Sequence, residues 1–169
     1  MSIAEAVIPE FDQEMATTRR MLERIPEAKA TWKPHPKSWS LGDLAAHLAN
    51  LPVWGSMTME QTEFDVNPPG GEKWVSPSYQ GQAANLDTFD TNVKALRAVL
   101  AGATDADYMV GWSLKNDGKV AFTMPRVVVI RSFVLNHIIH HRGQLSVYLR
   151  LNDVPLPSVY GPTADEGAM

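Results

Sequence analysis

Apolar positions recur at helical spacing in four stretches of the chain. The first carries Phe11, Met15, Leu22 and Ile25 in steps that fit one face of an amphipathic helix, with Thr18 filling the gap. Pro9 fits the first turn of that helix, or kinks it if the helix begins near Ile3, and Pro26 closes it. A second stretch runs Leu44, His47, Leu51 and Trp54 down one face. Ser40 begins it, with Asp43 three residues later as a variant of the capping box, and Pro52 is expected to kink it by removing a backbone donor. The third is Leu86, Phe89, Val93, Leu96 and Leu100, ended by Gly102. The fourth, "RVVVIRSFVLNHIIHHRGQLSVYLRL", opens after Pro125 and stops before Asn152 and Asp153.

The period changes to two between Met109 and Met124. Val110, Trp112 and Leu114 alternate, then Val120, Phe122 and Met124, around an Asp-Gly step that predicts a short hairpin. The proline-bearing "TWKPHPKSW" and the Pro/Gly-rich residues 65–81 read as loops, and the tail "VPLPSVYGPTADEGAM" as extended chain with loose last residues. These elements predict an all-α fold, a four-helix bundle with long loops and one minor β-hairpin, in a single domain spanning 1–169.

Composition narrows the function classes. The net charge is −4, and Arg19-Arg20 is the only adjacent basic pair, so no nucleic-acid surface is expected. No cysteine is present, which removes disulfides, thiolate ligands and a cysteine nucleophile. The acidic start "MSIAEAVIPEFDQE" lacks the order of a secretion signal, and no apolar run reaches the ~20 residues of a membrane span. A soluble, cytoplasmic protein without nucleic-acid or membrane partners is the expectation.

Three of the five histidines fall within "NHIIHHRGQL". On a wheel of roughly 100° per residue, Ile130, Val134, Leu145 and Tyr148 cluster on one side, with Ser132, Asn136, Gly143 and Arg150 opposite. His137 and His141 fall inside the apolar arc and His140 at its edge. Imidazoles at i and i+4 can converge on one metal ion, and His47 on the second helix is the candidate third ligand. A histidine on an apolar stripe is more often a hydrogen-bonded core residue, and an HxxxH pair alone is a weak signal. Metal binding and packing therefore both remain open on the pattern. Position 138 is Ile, so this is no HExxH zinc-protease motif, and His35 reads as solvated.

"SWSLGDLAAHLANLPVW", then "NHIIHHRGQLSVYLR" and "VYGPTADE", resemble the DinB-like family of bacterial four-helix bundles (the DinB/YfiT type) over nearly the whole chain. The resemblance implies that His47, His137 and His141 hold a divalent metal: zinc, nickel or iron. It also implies a homodimer, and in some branches activation of a low-molecular-weight thiol for S-transfer or isomerisation, with a small-molecule substrate. Many members have no established activity.

Three neutral imidazoles would leave coordination positions open, as catalytic rather than structural sites do. The expectation is a metal-dependent enzyme, thiol S-transferase-like, acting on a thiol or water. The alternatives are a non-catalytic metal-binding stress-response bundle, or a dimeric interaction module with packed histidines. No catalytic acid or base can be named. Gln144 either orients a ligand or packs, and Asn50, one turn after His47, is a weaker candidate for the same role. Gly143 is read as permitting close helix packing. Arg142 is read as a salt-bridge residue off the metal-facing arc, with another subunit as a candidate partner. Tyr160 and Asp165 match the family's tail motif without an assigned role. Trp54, Trp74, Trp112 and Tyr79 either fill the core or line a pocket. Acid is expected to release the metal as pH falls through about 5 to 6, where free imidazole protonates.

Overall fold

The computed structural model describes residues 1–167. The loose chain end expected at residues 168 and 169 lies outside the described residues. The four periodic stretches form α1 (Ile3–Leu22), α2 (Leu41–Glu60), α3 (Gln82–Gly102) and a last helix described below. Ser2 and Ser40 cap α1 and α2 with full capping boxes. Each serine hydroxyl accepts the N–H of Glu5 or Asp43, and each carboxylate accepts the serine's own N–H. Starting at Ile3 places Pro9 inside α1 rather than in its first turn, and α2 runs on through Pro52. At its far end α1 stops at Leu22, short of Pro26. The Arg24 and Ile25 N–H groups bond to carbonyls three residues back, which tightens the chain out of the α-helix and into a 3-10 turn at Glu27–Lys29.

The expected hairpin is present as β2 (Gly111–Asn116) and β3 (Lys119–Pro125). Asp117 and Gly118 turn it with φ of 54° and 73°, the paired positive angles that match the strand twist. A third strand, β1 (Glu63–Asp65), adds to it in parallel, with Phe64 opposite Leu114. Three residues are too few to show an alternation, so the sequence pattern did not mark this strand. The five-residue helix α4 (Asp105–Met109) was likewise unmarked. It carries its own capping box, from Thr104 to Asp107, and buries Tyr108 with the hydroxyl donating to the Leu100 carbonyl at 2.9 Å.

Direction follows from the cross-helix contacts. Asn85 reaches the Ala45 carbonyl and Asn92 the Ala49 carbonyl, so α2 and α3 run the same way, and the long segment between them returns the chain to the start. Arg19–Asp90 and Arg97–Asp12 pair in the opposite sense, so α1 is antiparallel to α3. Phe11, Leu44, Leu48, Phe89, Leu96, Ile138 and Leu145 meet in the centre, each essentially without solvent exposure. Twelve residues of α2 are buried, as expected of a helix packed on several sides.

The last helix is α5 (Arg126–Val128), a π-helical segment (Val129–Leu135) and α6 (Asn136–Arg150) without a break. A π segment takes more residues per turn than an α-helix, so a single wheel drawn through the stretch loses phase. Within the π segment the buried residues are Val129, Ile130, Val134 and Leu135. Along α6 they are Ile138, Arg142, Leu145 and Leu149. His137, His141 and Tyr148 therefore lie on the flank of the core stripe, half-buried, instead of at its middle. Among the described residues no helix is long and apolar enough to cross a membrane.

Candidate metal centre

α2 and α6 bring His47, His137 and His141 together. One ring nitrogen from each lies within 4.8 Å of the others, and the Nε2 atoms of His47 and His137 are 3.3 Å apart. Two nitrogens bound to a tetrahedral ion at ~2.0–2.1 Å would lie about 3.3 Å from one another. The separation therefore fits a shared divalent ion. A single hydrogen bond between His47 and His137 would also fit that distance, but it would leave the approach of His141 unaccounted for. All three rings meet closely, with centroids 4.6 to 5.1 Å apart.

Two of the rings are oriented from behind. His141 Nδ1 lies 2.7 Å from Gln144 Oε1, which favours the tautomer with Nδ1 protonated and leaves the Nε2 lone pair available. His137 is hydrogen-bonded to the Phe133 backbone. Of the two readings of Gln144, the structure supports orientation. Asn50 instead donates to the Ala46 carbonyl of its own helix, and Tyr79 packs against Gly42. His140 is exposed beside His141, outside the triad, and His35 is exposed in the loop before α2.

Electrostatics keep the triad neutral. Burial lowers His47 to about 3, with His141 and His137 pushing the same way. Burial also lowers His137 to about 4, with His141 adding to it and the Phe133 hydrogen bond opposing. His141 is lowered by burial too, against the raising effect of Gln144. Neutral imidazoles are the form that binds metal.

Two neighbours escaped the sequence reading. Trp39 stacks on His141 at 5.5 Å and packs on His47 at 4.7 Å, yet stays 47% exposed. Phe133 lies edge-on to His137 at 5.9 Å and continues into Trp54, Phe64 and Trp74. Trp54 and Trp74 are thus half-buried members of an aromatic cluster beside the site, whereas Trp112 is wholly buried. Exposed Trp39 in a proline-rich loop carries no periodic signal. Its place directly before the Ser40 cap was the only available hint.

Arg142 does make a salt bridge, but within the chain. Arg142 is 2% exposed, its guanidinium meets Glu14 of α1 at 2.6 Å, and the Tyr160 hydroxyl bonds to both partners. Asp165 pairs with Arg150. The tail motif therefore ties the chain end onto α1 and α6.

Residues 10–145 match the sequence profile of the DinB superfamily. The chain belongs to that family. A curated relative, the uncharacterized protein YrdA of Bacillus subtilis (strain 168), is 24% identical over 164 residues, covering 94% of this chain and 88% of that one. The crystal structure of a DinB-like protein from Bacillus cereus ATCC 10987 superposes with a TM-score of 0.70 at 23% identity, covering 94% of this chain and 98% of that one. A second DinB-like structure, YjoA of Bacillus subtilis, gives 0.68 at 17%, with 97% and 99% covered. At these identities the neighbours establish the DinB fold, and the chemistry has to come from the site itself.

Proposed function

We propose that this DinB-family protein holds one divalent metal at His47, His137 and His141 and uses it to activate a low-molecular-weight thiol or water, as a thiol S-transferase does. The observation that carries the reading is the meeting of three neutral imidazole nitrogens from two helices within 4.8 Å, with no carboxylate among them. A divalent ion held there would supply Lewis acidity, making a nucleophile available at neutral pH. The chain's own residues prepare that position. Gln144 orients His141, the Phe133 backbone orients His137, and Trp39 shields one side from water. Because the chain has no cysteine, the sulfur must arrive with a cosubstrate. In the transfer, the thiol sulfur forms a bond to an electrophilic carbon, the bond from that carbon to its leaving group breaks, and the thiol proton passes to solvent.

A non-catalytic metal-binding bundle is the second reading, and one observation favours it. Among the described residues the only carboxylate lining the clefts around the triad, that of Asp43, is engaged by the Ser40 backbone and hydroxyl, so no free carboxylate stands there to act as general base. Turnover decides between them. Zinc- or nickel-loaded protein is incubated with monochlorobimane and, in turn, cysteine, glutathione and coenzyme A. Thioether formation above the uncatalysed rate, lost in His137→Ala, is the expected result. Rates indistinguishable from buffer with every thiol would favour the non-catalytic reading.

A further inference from the structure

The loop before α2 presents a second set of groups to the histidine site. The His35 ring accepts the Lys37 N–H at 3.1 Å and the His35 carbonyl accepts that of Ser38 at 2.9 Å, so Lys37, Ser38 and Trp39 emerge from a closed turn. Trp39 then separates two clefts of about 270 Å³ each, and both reach the triad. The two differ in charge. One is bounded by Lys37, Ser38, His141, Gln144 and Tyr148 and contains no carboxylate. The other contains Asp43 beside His47. Among the described residues no ion pair involves Lys37. Gln144 gives its carbonyl oxygen to His141, and its NH₂ has no protein partner among the described residues.

The first cleft therefore combines an unpaired ammonium, a hydroxyl and an amide NH₂ with aromatic walls, and has no anionic acceptor of its own. Aromatic walls lower the local dielectric and strengthen the attraction of the ammonium for an anion. The volume lies just under the ~300–1,000 Å³ range of small-molecule pockets, so it suits one end of a small molecule.

We propose that this cleft receives the carboxylate end of a small thiol whose sulfur reaches the three histidines, and that Lys37 sets the preference for the anion. The assignment rests on the metal-site reading above. Lys37 is exposed at the cleft mouth, so its replacement leaves the core untouched.

The test is calorimetric titration of the zinc-loaded full chain with 3-mercaptopropionate and with 2-mercaptoethanol, zinc content being measured on the same samples. 3-Mercaptopropionate is expected to bind more tightly. Lys37→Ala should reduce that preference about fivefold, the size of one partly exposed charge pair, while 2-mercaptoethanol affinity and zinc content stay unchanged. Lys37→Arg should keep it. With zinc bound, the absence of any preference, or a preference undiminished in Lys37→Ala, would overturn the assignment and leave the metal site standing. Protein that takes up no zinc would instead defeat the metal-site reading, and this assignment with it.

Discussion

Burial lowers His47 to about 3 and His137 to about 4, whereas the same side chains in an unfolded chain titrate near ~6.5. Between those values the unfolded chain binds protons that the folded chain refuses. Stability from these groups is complete above about pH 6.5 and is lost as pH falls through about 4 for His137 and about 3 for His47. The Tm of chelator-treated protein is therefore expected to fall as pH drops from about 6.5 toward 4, and His47→Leu should flatten that decline. Parallel Tm-against-pH curves for the parent and the variant would contradict it. The same shifts revise the acid release of metal. Imidazoles of ordinary basicity would give up an ion through about pH 5 to 6, whereas His137, lowered to about 4, and His47, lowered to about 3, would hold one to lower pH.

The close approach of α2 and α3 depends on Gly55. A Cβ there would lie 2.5 Å from a Leu96 methyl, and Leu96 is wholly buried, so its side chain must shift within the core. Gly55→Ala gains roughly 1 kcal/mol of helix propensity but overpacks the interface at about 1–3 kcal/mol. A net loss of about 1 kcal/mol is expected from urea denaturation, and a more stable variant would contradict the packing argument. The apolar stripes that build these helices were legible in the sequence because each is long and keeps a steady period. β1 and α4 were not, being three and five residues long and held by partners distant in sequence or by a single cap. The π segment was hidden for a different reason. Its consequence is a change of phase, visible only as Ile138, Arg142, Leu145 and Leu149 replacing the stripe drawn from Ile130 and Val134. His137 and His141 survived that error because they sit one turn apart after the π segment, so their mutual spacing is unaffected. His47 was legible as a polar interruption of an apolar stripe. Trp39 and Lys37 were not, because their role follows from where an irregular loop passes over the site.

The whole molecule is closed by its tail. Tyr160 joins the buried Glu14–Arg142 pair, Glu166 meets Arg20 and Arg24, and Asp165 meets Arg150. Arg142 is the residue after His141, so the clasp also anchors the histidine-bearing helix to α1. Arg142→Ala would leave Glu14, 5% exposed, charged and unpaired, at a cost of about 3–5 kcal/mol. Tyr160→Phe should cost only about 1 kcal/mol, since Arg142 and Glu14 remain paired. Equal and small losses in the two variants, read from denaturant unfolding, would contradict the role given to the clasp. The central claim is that three histidines from two helices of this DinB fold hold one metal ion. The most direct measurement is metal content by mass spectrometry of untagged protein reloaded with zinc and with nickel, beside His47→Ala and His141→Ala, each checked for folding by circular dichroism. About one equivalent per chain in the parent, lost in both folded variants, is the predicted result. A parent that stays metal-free after reloading, or variants that keep a full equivalent, would contradict it.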